Sequence, residues 1–370
     1  MSFKSETINT PGQSNQIKGL GWLIPAAIIL SGAFLRFYQL GASSIGNAYY
    51  AAAVKSMLTS WPNFFFVAFE PGGSVSVDKP PLGLWLEAIS AGLMGLNGFA
   101  LAFPNALAGT LAVALLFFMV KKQFGLAAGA TAALVLAVTP ITIATERNNT
   151  MDGMLVFALL LASWAVWRAV ENGRASALML GMLLMGAAFN IKMLQAYMIL
   201  PALYALYFFG TGYLSWQKRA LHLGAATCLL LAVSLSWALL VDSVSADSRP
   251  FIGSSTNNSV MELILGHNGI KRLVSTDNSS ETQTGSESTT LDISSGTPNE
   301  VGAAGALRLF TEPLAPQVSW LLPMALMGLA LGWVMAGKPS PLNDRHLALI
   351  LWGGWLLPMG LWGMKKNFLC

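Results

Sequence analysis

The sequence predicts an all-α protein that crosses a membrane several times, in other words a polytopic helix bundle. Hydrophobic residues make up 54% of its 370 residues and charged residues only 10%, whereas soluble domains carry about 25% charged residues. Mean hydropathy is +0.58. Several apolar runs approach or exceed the roughly 20 residues that a helix needs to cross a bilayer. These observations exclude a soluble globular fold.

The apolar runs predict membrane helices one after another along the chain. A polar tail, residues 1–18, precedes the first run, which lacks a small-residue cleavage site and so indicates a retained helix rather than a signal peptide. The predicted spans are Leu20 to Tyr38, Leu101 to Val120, Gly125 to Thr142, Met151 to Val170, Ala175 to Phe189, Leu194 to Phe209, Leu221 to Val241, Trp320 to Ala336 and Leu347 to Trp362.

The segment between the first two spans is too polar and too broken to cross a bilayer. Residues 39–83 form a predicted first outer loop, and within it "NAYYAAAVKSML" has helical spacing and small residues typical of a helix lying in the membrane interface. Residues Leu84 to Phe99 are apolar but interrupted by Glu87 and several glycines. We expect this stretch to be a re-entrant or interfacial piece rather than a full crossing.

Basic residues at the ends of the spans predict the orientation, because cytoplasmic loops are enriched in Lys and Arg. If residues 1–18 form a cytoplasmic tail, the basic loops of the predicted transmembrane core, residues 19–241, also fall on the cytoplasmic side. Residues 242–319 then form an outer loop that is expected to be disordered at about 275–302, and residues 320–370 hold further membrane helices. The cytoplasmic basic residues are Lys4, Lys18, Lys121, Lys122, Arg168, Arg174, Lys218, Arg219, Lys338 and Arg345.

Metal and nucleotide chemistry find no support in the sequence. Cys228 and Cys370 lack metal-ligand neighbours, and the histidines at 222, 267 and 346 are far apart. Neither a P-loop nor a dinucleotide glycine fingerprint is present, and no basic, aromatic-rich stripe suggests nucleic acid. We therefore expect no cofactor and no nucleic-acid partner, and leave open a metal held only by carboxylates.

The stretch "DKPPLGLW" places an acid and a base at the start of a predicted helix at the outer membrane face. Proline is favoured in the first helical turn. Lys79 is a compact cation suited to phosphate, and Asp78 suits the positive end of the helix dipole. The alternative is a capping acid beside a lysine that reaches for the headgroup layer; spacing alone favours neither.

Two further polar clusters fall on the same predicted side. In "TERNNTMDGM", Asp152 begins a span, where an acid is a functional candidate, and Arg147 is a second candidate; an ordinary polar hairpin explains Asn149 well. In "FNIKMLQ", Lys192 adds a cation, although a polar turn between helices also explains it. Together, cations at the membrane edge suit a lipid-linked phosphate, and a carboxylate near an acceptor group suits a general base.

The motifs "NAYYAAAVKSMLTSWPNFFFVAFEPGG", "VDKPPLGLW" and "ERNNTMDGMLVFALLLA", in this order, resemble the bacterial protein O-mannosyltransferase/aminoarabinose transferase-like enzymes of the glycosyltransferase-C superfamily. The likeness runs from about residue 20 to 273 and resumes at "LRLFTEPLAPQVSWLLPMAL". It implies a glycosyltransferase-C-like helix bundle, a polyprenyl-phosphate sugar donor, inversion at the anomeric carbon, and an active site facing away from the cytoplasm.

The resemblance also implies roles for particular residues. The lysine before the double proline matches a family position, so Lys79 is expected to contact the donor phosphate, with Arg147 and Lys192 as further phosphate-binding candidates. The acid pair that usually precedes the interfacial helix is replaced here by Gly46-Asn47, and an asparagine cannot take a proton. Asp152 and Asp78 are therefore the expected candidates for the catalytic base, ahead of Glu70, which lies in a Pro-Gly-Gly turn. Candidates for other substrate contacts are Asn47, Tyr50, Glu70 and Asn149.

The sequence thus predicts a multi-pass glycosyltransferase of a bacterial cell membrane, which moves a hexose or an amino sugar to a glycolipid, protein or cell-wall acceptor. Family members usually continue with more spans, so we expect this chain to be a truncated form that lacks part of the donor-lipid groove. Two alternatives stay open. One is a transporter or flippase of lipid-linked sugars, although no internal repeat appears and the charges collect at one face. The other is a homologue that binds the lipid-linked sugar without turning it over.

Overall fold

The computed structural model describes residues 22–42, 45–266, 321–337 and 343–363, with side chains to residue 356. Regular secondary structure in these segments is helical, apart from two isolated β-bridges. By length and composition, four helical stretches could each cross a membrane, and a bent pair of helices could provide a fifth crossing. The predicted all-α membrane fold is therefore confirmed, whereas the predicted disorder at about 275–302 lies outside the described residues.

The helices are numbered in chain order. The first half contains α1 (Leu23–Phe37), α2 (Ala48–Met57), α3 (Trp61–Phe66), α4 (Pro81–Met94), α5 (Gly98–Phe124), α6 (Leu126–Val138) and α7 (Pro140–Glu146). The second half contains α8 (Asp152–Asn172), α9 (Ala175–Lys192), the 3-10 helix η1 (Met193–Ile199), α10 (Leu200–Gly210), α11 (Trp216–Ser243), the 3-10 helix η2 (Ala246–Ser248), α12 (Val260–Leu265), α13 (Leu322–Met335) and α14 (Asp344–Gly363).

Helix α4 is too short to cross a bilayer, as the sequence predicts for this stretch. Its 14 residues span roughly 21 Å at 1.5 Å per residue, against a hydrocarbon core of about 30 Å. Pro80 and Pro81 define its start, because proline fits the first turn of a helix but not its interior. The Trp85 indole donates to the Phe64 carbonyl at 2.7 Å and so ties α4 to α3.

The predicted span from Gly125 to Thr142 is not one continuous helix but a bent pair, α6 and α7. The chain bends by 59° between α6 and α7. Thr139 takes an extended conformation, with ψ 118°, directly before Pro140. A proline disfavours helical backbone in the residue before it, which ends α6 and lets α7 start at the proline in a new direction.

Helices α8 and α9 pack closely along their lengths, and α8 also packs on α5. Small residues make this approach close: Ala162, Ala165 and Ala169 are fully or almost fully buried, and a Cβ atom at Gly181 would lie 2.7 Å from the Val166 side chain. Because α8 begins at the end where α9 finishes, the first residue of α8 and the last residue of α9 are neighbours.

A buried ion pair fastens the bent α6–α7 unit to α1. The Arg36 guanidinium, which is fully buried, donates to the Glu146 carboxylate and to the carbonyls of Gly32, Leu136 and Ala137. The Glu146 side chain fits because two glycines on the neighbouring helices, at 109 and 153, leave room where a Cβ atom would collide with it. Burial of this pair is tolerable because each charge is hydrogen-bonded.

The two loops on the site side of the bundle are joined to each other. A turn in the first loop pairs with the segment after η2, since the Ser76 amide donates to the Phe251 carbonyl and the Phe251 amide to the Ser74 carbonyl, both at 2.8 Å. The Trp237 indole of α11 donates to the Phe65 carbonyl at 3.0 Å. These contacts hold the first loop over the ends of the long helices.

Candidate functional site

The first component of the site is an ion pair between two helix ends. The Lys192 ammonium lies 2.6 Å from a carboxylate oxygen of Asp152, and their side chains are 17% and 39% exposed. Asp152 is the first residue of α8 and Lys192 the last of α9. Each charge therefore sits at the helix end whose dipole favours it. The structure brings together two residues that the sequence separates by 40 positions.

The second component is a pair of adjacent residues just before α4. The Lys79 ammonium lies 2.6 Å from an Asp78 carboxylate oxygen, and their side chains are 13% and 17% exposed. Both side chains are more buried than a solvated surface pair would be. This burial disfavours the alternative reading of Lys79 as a lysine that merely reaches into the headgroup layer.

Two tyrosines of α2 lie near these ion pairs: Tyr49 contacts Asp78, and Tyr50 is within electrostatic range of both Asp78 and Asp152. Tyr49 hydrogen-bonds Asp78 and stacks on Phe69, with ring centroids 4.8 Å apart. Burial raises the pKa of Tyr50, and the negative charges of Asp78 and Asp152 raise it further. Burial and the charge of Asp78 likewise raise the pKa of Tyr49. Both phenols therefore remain protonated donors, and both carboxylates lie within electrostatic range of Tyr50.

Asn47 has a structural task at the start of α2. Its side-chain oxygen accepts hydrogen bonds from the Tyr49 and Tyr50 amides at 3.0 and 3.3 Å, which caps the helix. The main-chain amide of Asn47 donates to the side-chain oxygens of Asn148 and Asn149, and the side-chain amide of Asn149 donates to the main-chain carbonyl of Asn47. Asn47 and Asn149 thus join the first loop to the segment before α8 and orient Tyr50.

Two other candidates have partners that account for them without a substrate. The Arg147 guanidinium donates to the carbonyls of residues 35, 36 and 38 at 2.8–3.1 Å, which are the unpaired acceptors at the end of α1. The exposed Glu70 carboxylate accepts from the Ser74 amide, the Ser74 hydroxyl and the Gly72 amide, and these hydrogen bonds lower its pKa.

Sequence reasoning missed Asn105, a polar residue inside the long apolar helix α5. Its side-chain amide donates to the carbonyls of Thr145 and Asn148 at 2.8 and 2.9 Å, and its oxygen accepts from the Met154 amide at 3.1 Å. Asn105 therefore fixes the start of α8, and with it Asp152. The signal available in the sequence was a polar side chain in an otherwise apolar run.

Glu87 of α4 also lies near the site. It is fully buried, and neither of its carboxyl oxygens has a hydrogen-bond partner among the described residues. Its charge would act on Tyr50. A carboxyl group buried without a partner is most stable in its neutral, protonated form, so Glu87 contributes no counter-charge to Lys79 or Lys192.

The assembled site combines two partly buried lysines, two carboxylates and two phenol donors at one end of the bundle. An ammonium group has three N–H donors, so the bond from Lys192 to Asp152 leaves it able to contact an anion as well. An ionised carboxylate can accept a proton from a nearby hydroxyl group. The site therefore suits a phosphate-bearing substrate and a proton-releasing nucleophile.

Comparisons with known proteins agree with this chemistry. A family model described as dolichyl-phosphate-mannose-protein mannosyltransferase matches residues 78–237. The chain is 38% identical to the putative mannosyltransferase YycA of Bacillus subtilis (strain 168), over 90% of this chain and 58% of that protein. It is 28% identical to the undecaprenyl phosphate-alpha-4-amino-4-deoxy-L-arabinose arabinosyl transferase of Pseudomonas aeruginosa (strain UCBPP-PA14), over 58% of this chain and 40% of that protein.

The fold is similar to the crystal structure of ArnT from Cupriavidus metallidurans bound to undecaprenyl phosphate, with a TM-score of 0.61 and 16% identity, over 94% of this chain and 56% of that one. The chain spans a little over half the length of curated relatives that it matches, 58% of YycA and 58% of YkcB, a second putative mannosyltransferase of the same Bacillus subtilis strain. Sequence and fold agree: the chain is similar in sequence to proteins named as mannosyltransferases and as an arabinosyl transferase, and its fold is similar to that of ArnT.

Proposed function

We propose that this protein is a membrane glycosyltransferase that moves a sugar from a polyprenyl-phosphate donor to an acceptor on the outer side of a bacterial cell membrane. The observation that carries the proposal is the convergence of the Asp152–Lys192 and Asp78–Lys79 pairs around Tyr50. The family match and the names of the relatives support the same reaction class. Mannose is the sugar that most of these names suggest.

The charges at the two ends of α8 support the proposed outer location. Asp152 begins this 21-residue helix, which is about 30 Å long at 1.5 Å per residue. At its other end, Glu171 pairs with Lys122 of α5 and with Arg168. Basic residues mark the cytoplasmic side of a membrane protein, which supports placing the site on the opposite, outer side.

In the proposed reaction, Lys79 and Lys192 bind the donor phosphate beside the membrane. The acceptor hydroxyl or amine attacks the anomeric carbon, the bond from that carbon to the phosphate oxygen breaks, and polyprenyl phosphate leaves with the electron pair. The two ammonium groups stabilise the negative charge that grows on the departing phosphate. The Tyr50 phenol, a protonated donor, contacts the sugar or the phosphate.

The acceptor proton goes to a carboxylate in this scheme. Asn47 occupies the position of the missing acid and is already used as a helix cap. Asp152 is the preferred base because its side chain is 39% exposed, against 17% for Asp78, and because a base must reach the group that it deprotonates. Asp78, hydrogen-bonded by Tyr49 and Lys79, then holds the donor-binding lysine in place.

Sugar transfer by the purified protein in lipid tests the proposal. The protein is given a radiolabelled polyprenyl-phosphate hexose together with a membrane extract that supplies acceptors. Transfer of label from polyprenol to acceptor, reduced in the Asp152→Asn variant, would support the proposal. Donor binding without transfer would indicate a non-catalytic homologue or a flippase of the lipid-linked sugar, and failure of a folded protein to bind donor would overturn the proposal.

A further inference from the structure

Two methionines with strained main chains flank the Asp152–Lys192 ion pair. In the described part of the chain, six non-glycine residues have a positive φ angle, and three of them, Val67, Met151 and Met193, are at most 2% exposed. Met151 directly precedes Asp152, and Met193 directly follows Lys192. Strained backbone persists only where surrounding contacts impose it, and it gathers at functional sites.

Met151 sets the start of α8. Its main chain is left-handed, with φ 65° and ψ 4°, and its carbonyl accepts from the Leu155 amide at 3.1 Å in the first turn of the helix. The fully buried side chain packs against α4, since a Cβ atom added at Gly83 would lie 2.5 Å from the Met151 Sδ and 2.7 Å from its Cγ. Contact with α4 therefore holds residue 151 in a conformation that a Cβ atom disfavours.

Met193 turns the chain on the other side of the ion pair. Its φ of 45° and ψ of −131° resemble those of the first central residue of a type II′ turn, a position dominated by glycine. Its amide donates to the Phe189 carbonyl, and α9 ends at Lys192. The Met193 side chain is 2% exposed, so it is held by packing as well.

Glycine would adopt both conformations without a steric penalty, but it would also leave them freely. A buried methionine is anchored by its side chain and gives the adjoining residue one direction. We propose that Met151 and Met193 are positioning residues that hold the Asp152 carboxylate and the Lys192 ammonium in contact, 2.6 Å apart.

The inference rests on the proposed function in one respect, because it takes Asp152 as the base and Lys192 as a phosphate ligand. Under that assignment, loss of the turn at Met151 should slow sugar transfer and leave donor affinity nearly unchanged. Loss of the turn at Met193 should instead weaken donor binding.

Carbodiimide cross-linking of the purified whole chain in detergent measures the contact independently of activity. The reagent joins a carboxylate and an amine that touch, with loss of one water molecule, and mass spectrometry after proteolysis quantifies the Asp152–Lys192 amide. The Lys122–Glu171 pair, at the far end of α8, is the internal reference. Asp152→Asn cannot form the cross-link and gives the background.

Alanine and glycine at residue 151 distinguish positioning from packing. Met151→Ala keeps a Cβ atom but loses the packed side chain, so the turn relaxes and the yield should fall about five- to 30-fold, the factor by which left-handed backbone is disfavoured. Met151→Gly should lose at most about twofold, because glycine populates both signs of φ almost equally. If the side chain only filled space, glycine would be the more harmful replacement.

The same order, with alanine more harmful than glycine, is expected at Met193, so the test survives if the variants at one position fail to fold. Met182 is the matched control, because it is fully buried but lies inside helical α9. There Met182→Gly should destabilise the protein more than Met182→Ala, and neither should change the cross-link yield.

The outcomes separate the inference from the proposed function. Equal loss with alanine and glycine, a greater loss with glycine, or no loss would overturn the positioning role of the residue concerned. A wild-type protein that forms the Lys122–Glu171 cross-link but not the Asp152–Lys192 one would overturn both roles, and so would wild-type transfer and donor affinity in alanine variants that lack the cross-link. Cross-linking in the expected order without any sugar transfer by the wild type would defeat the proposed function and leave the inference about the ion pair standing.

Discussion

Replacing Asp152 by asparagine should separate catalysis from folding. A positioned general base contributes about 10²–10⁴ in rate, so Asp152→Asn should lower the rate of sugar transfer by at least about 100-fold. The ion pair with Lys192 is partly exposed, with Asp152 at 39%, and such pairs contribute about 0–1 kcal/mol to stability. Asparagine keeps the size and a hydrogen-bond acceptor, so the free energy of unfolding should change by less than about 1 kcal/mol.

The assay is single-turnover transfer from a radiolabelled polyprenyl-phosphate hexose, with donor affinity and thermal unfolding in detergent measured in parallel. Asp78→Asn is the matched variant, because it also removes one carboxylate from a lysine pair. Transfer by Asp152→Asn at the wild-type rate would refute the assignment of the base, and a large loss confined to Asp78→Asn would transfer that role to Asp78. Loss of donor binding in Asp152→Asn would indicate instead that the pair serves the phosphate.

Three further changes test other parts of the structure. Lys79→Ala should weaken binding of polyprenyl phosphate about 10- to 100-fold, as expected for one charge-assisted hydrogen bond, with the fold intact; Lys55→Ala, on the exposed face of α2, is the control, and equal affinity in both variants would contradict a phosphate contact. Glu146→Ala should lower the free energy of unfolding by about 3–5 kcal/mol, because it strands the buried Arg36 charge, and removing both charges should recover most of that loss in thermal unfolding. The ionised Glu70 carboxylate accepts hydrogen bonds that order its turn, and these bonds lower its pKa. Their stabilising effect is complete at pH values above the ordinary glutamate pKa. It is lost as the pH falls through the lowered pKa, because the carboxylate then takes up a proton. Amide exchange in this turn, corrected for intrinsic rates, should therefore accelerate only in acid, and the acceleration should vanish in Glu70→Gln.

Apolar runs and prolines made most of the fold predictable from the sequence. A helix that crosses a membrane needs a long apolar segment, and the positions of such segments in the sequence predicted the long helices. The start of α4 was also predictable from the sequence, since Pro80 and Pro81 fix it. The bend at Pro140 was also predictable, because proline disfavours helical backbone in the residue before it. The apolar residues on both sides of Pro140 instead favoured the interpretation as a single span.

The sequence predicted which residues belong to the site, but it did not predict which of them contact each other. Asp152 and Lys192 were each recognised as candidates, because a charged side chain at the edge of a membrane span costs free energy and is therefore a functional candidate. Their pairing depends on which helix ends meet, and neither residue's neighbours in sequence carry that information. Arg147 illustrates the converse: its partners are main-chain carbonyls of α1, which every residue possesses and no sequence pattern marks.

The buried Arg36–Glu146 pair has a consequence for how related sequences diverge. The carboxylate fits only because residues 109 and 153 lack a Cβ atom, so four positions on four segments share one small volume. Loss of either charge alone is penalised, and a larger residue at either glycine evicts the acid. Relatives should therefore keep all four residues or exchange them as a set, which makes the quartet a place where substitutions at distant positions are inherited together.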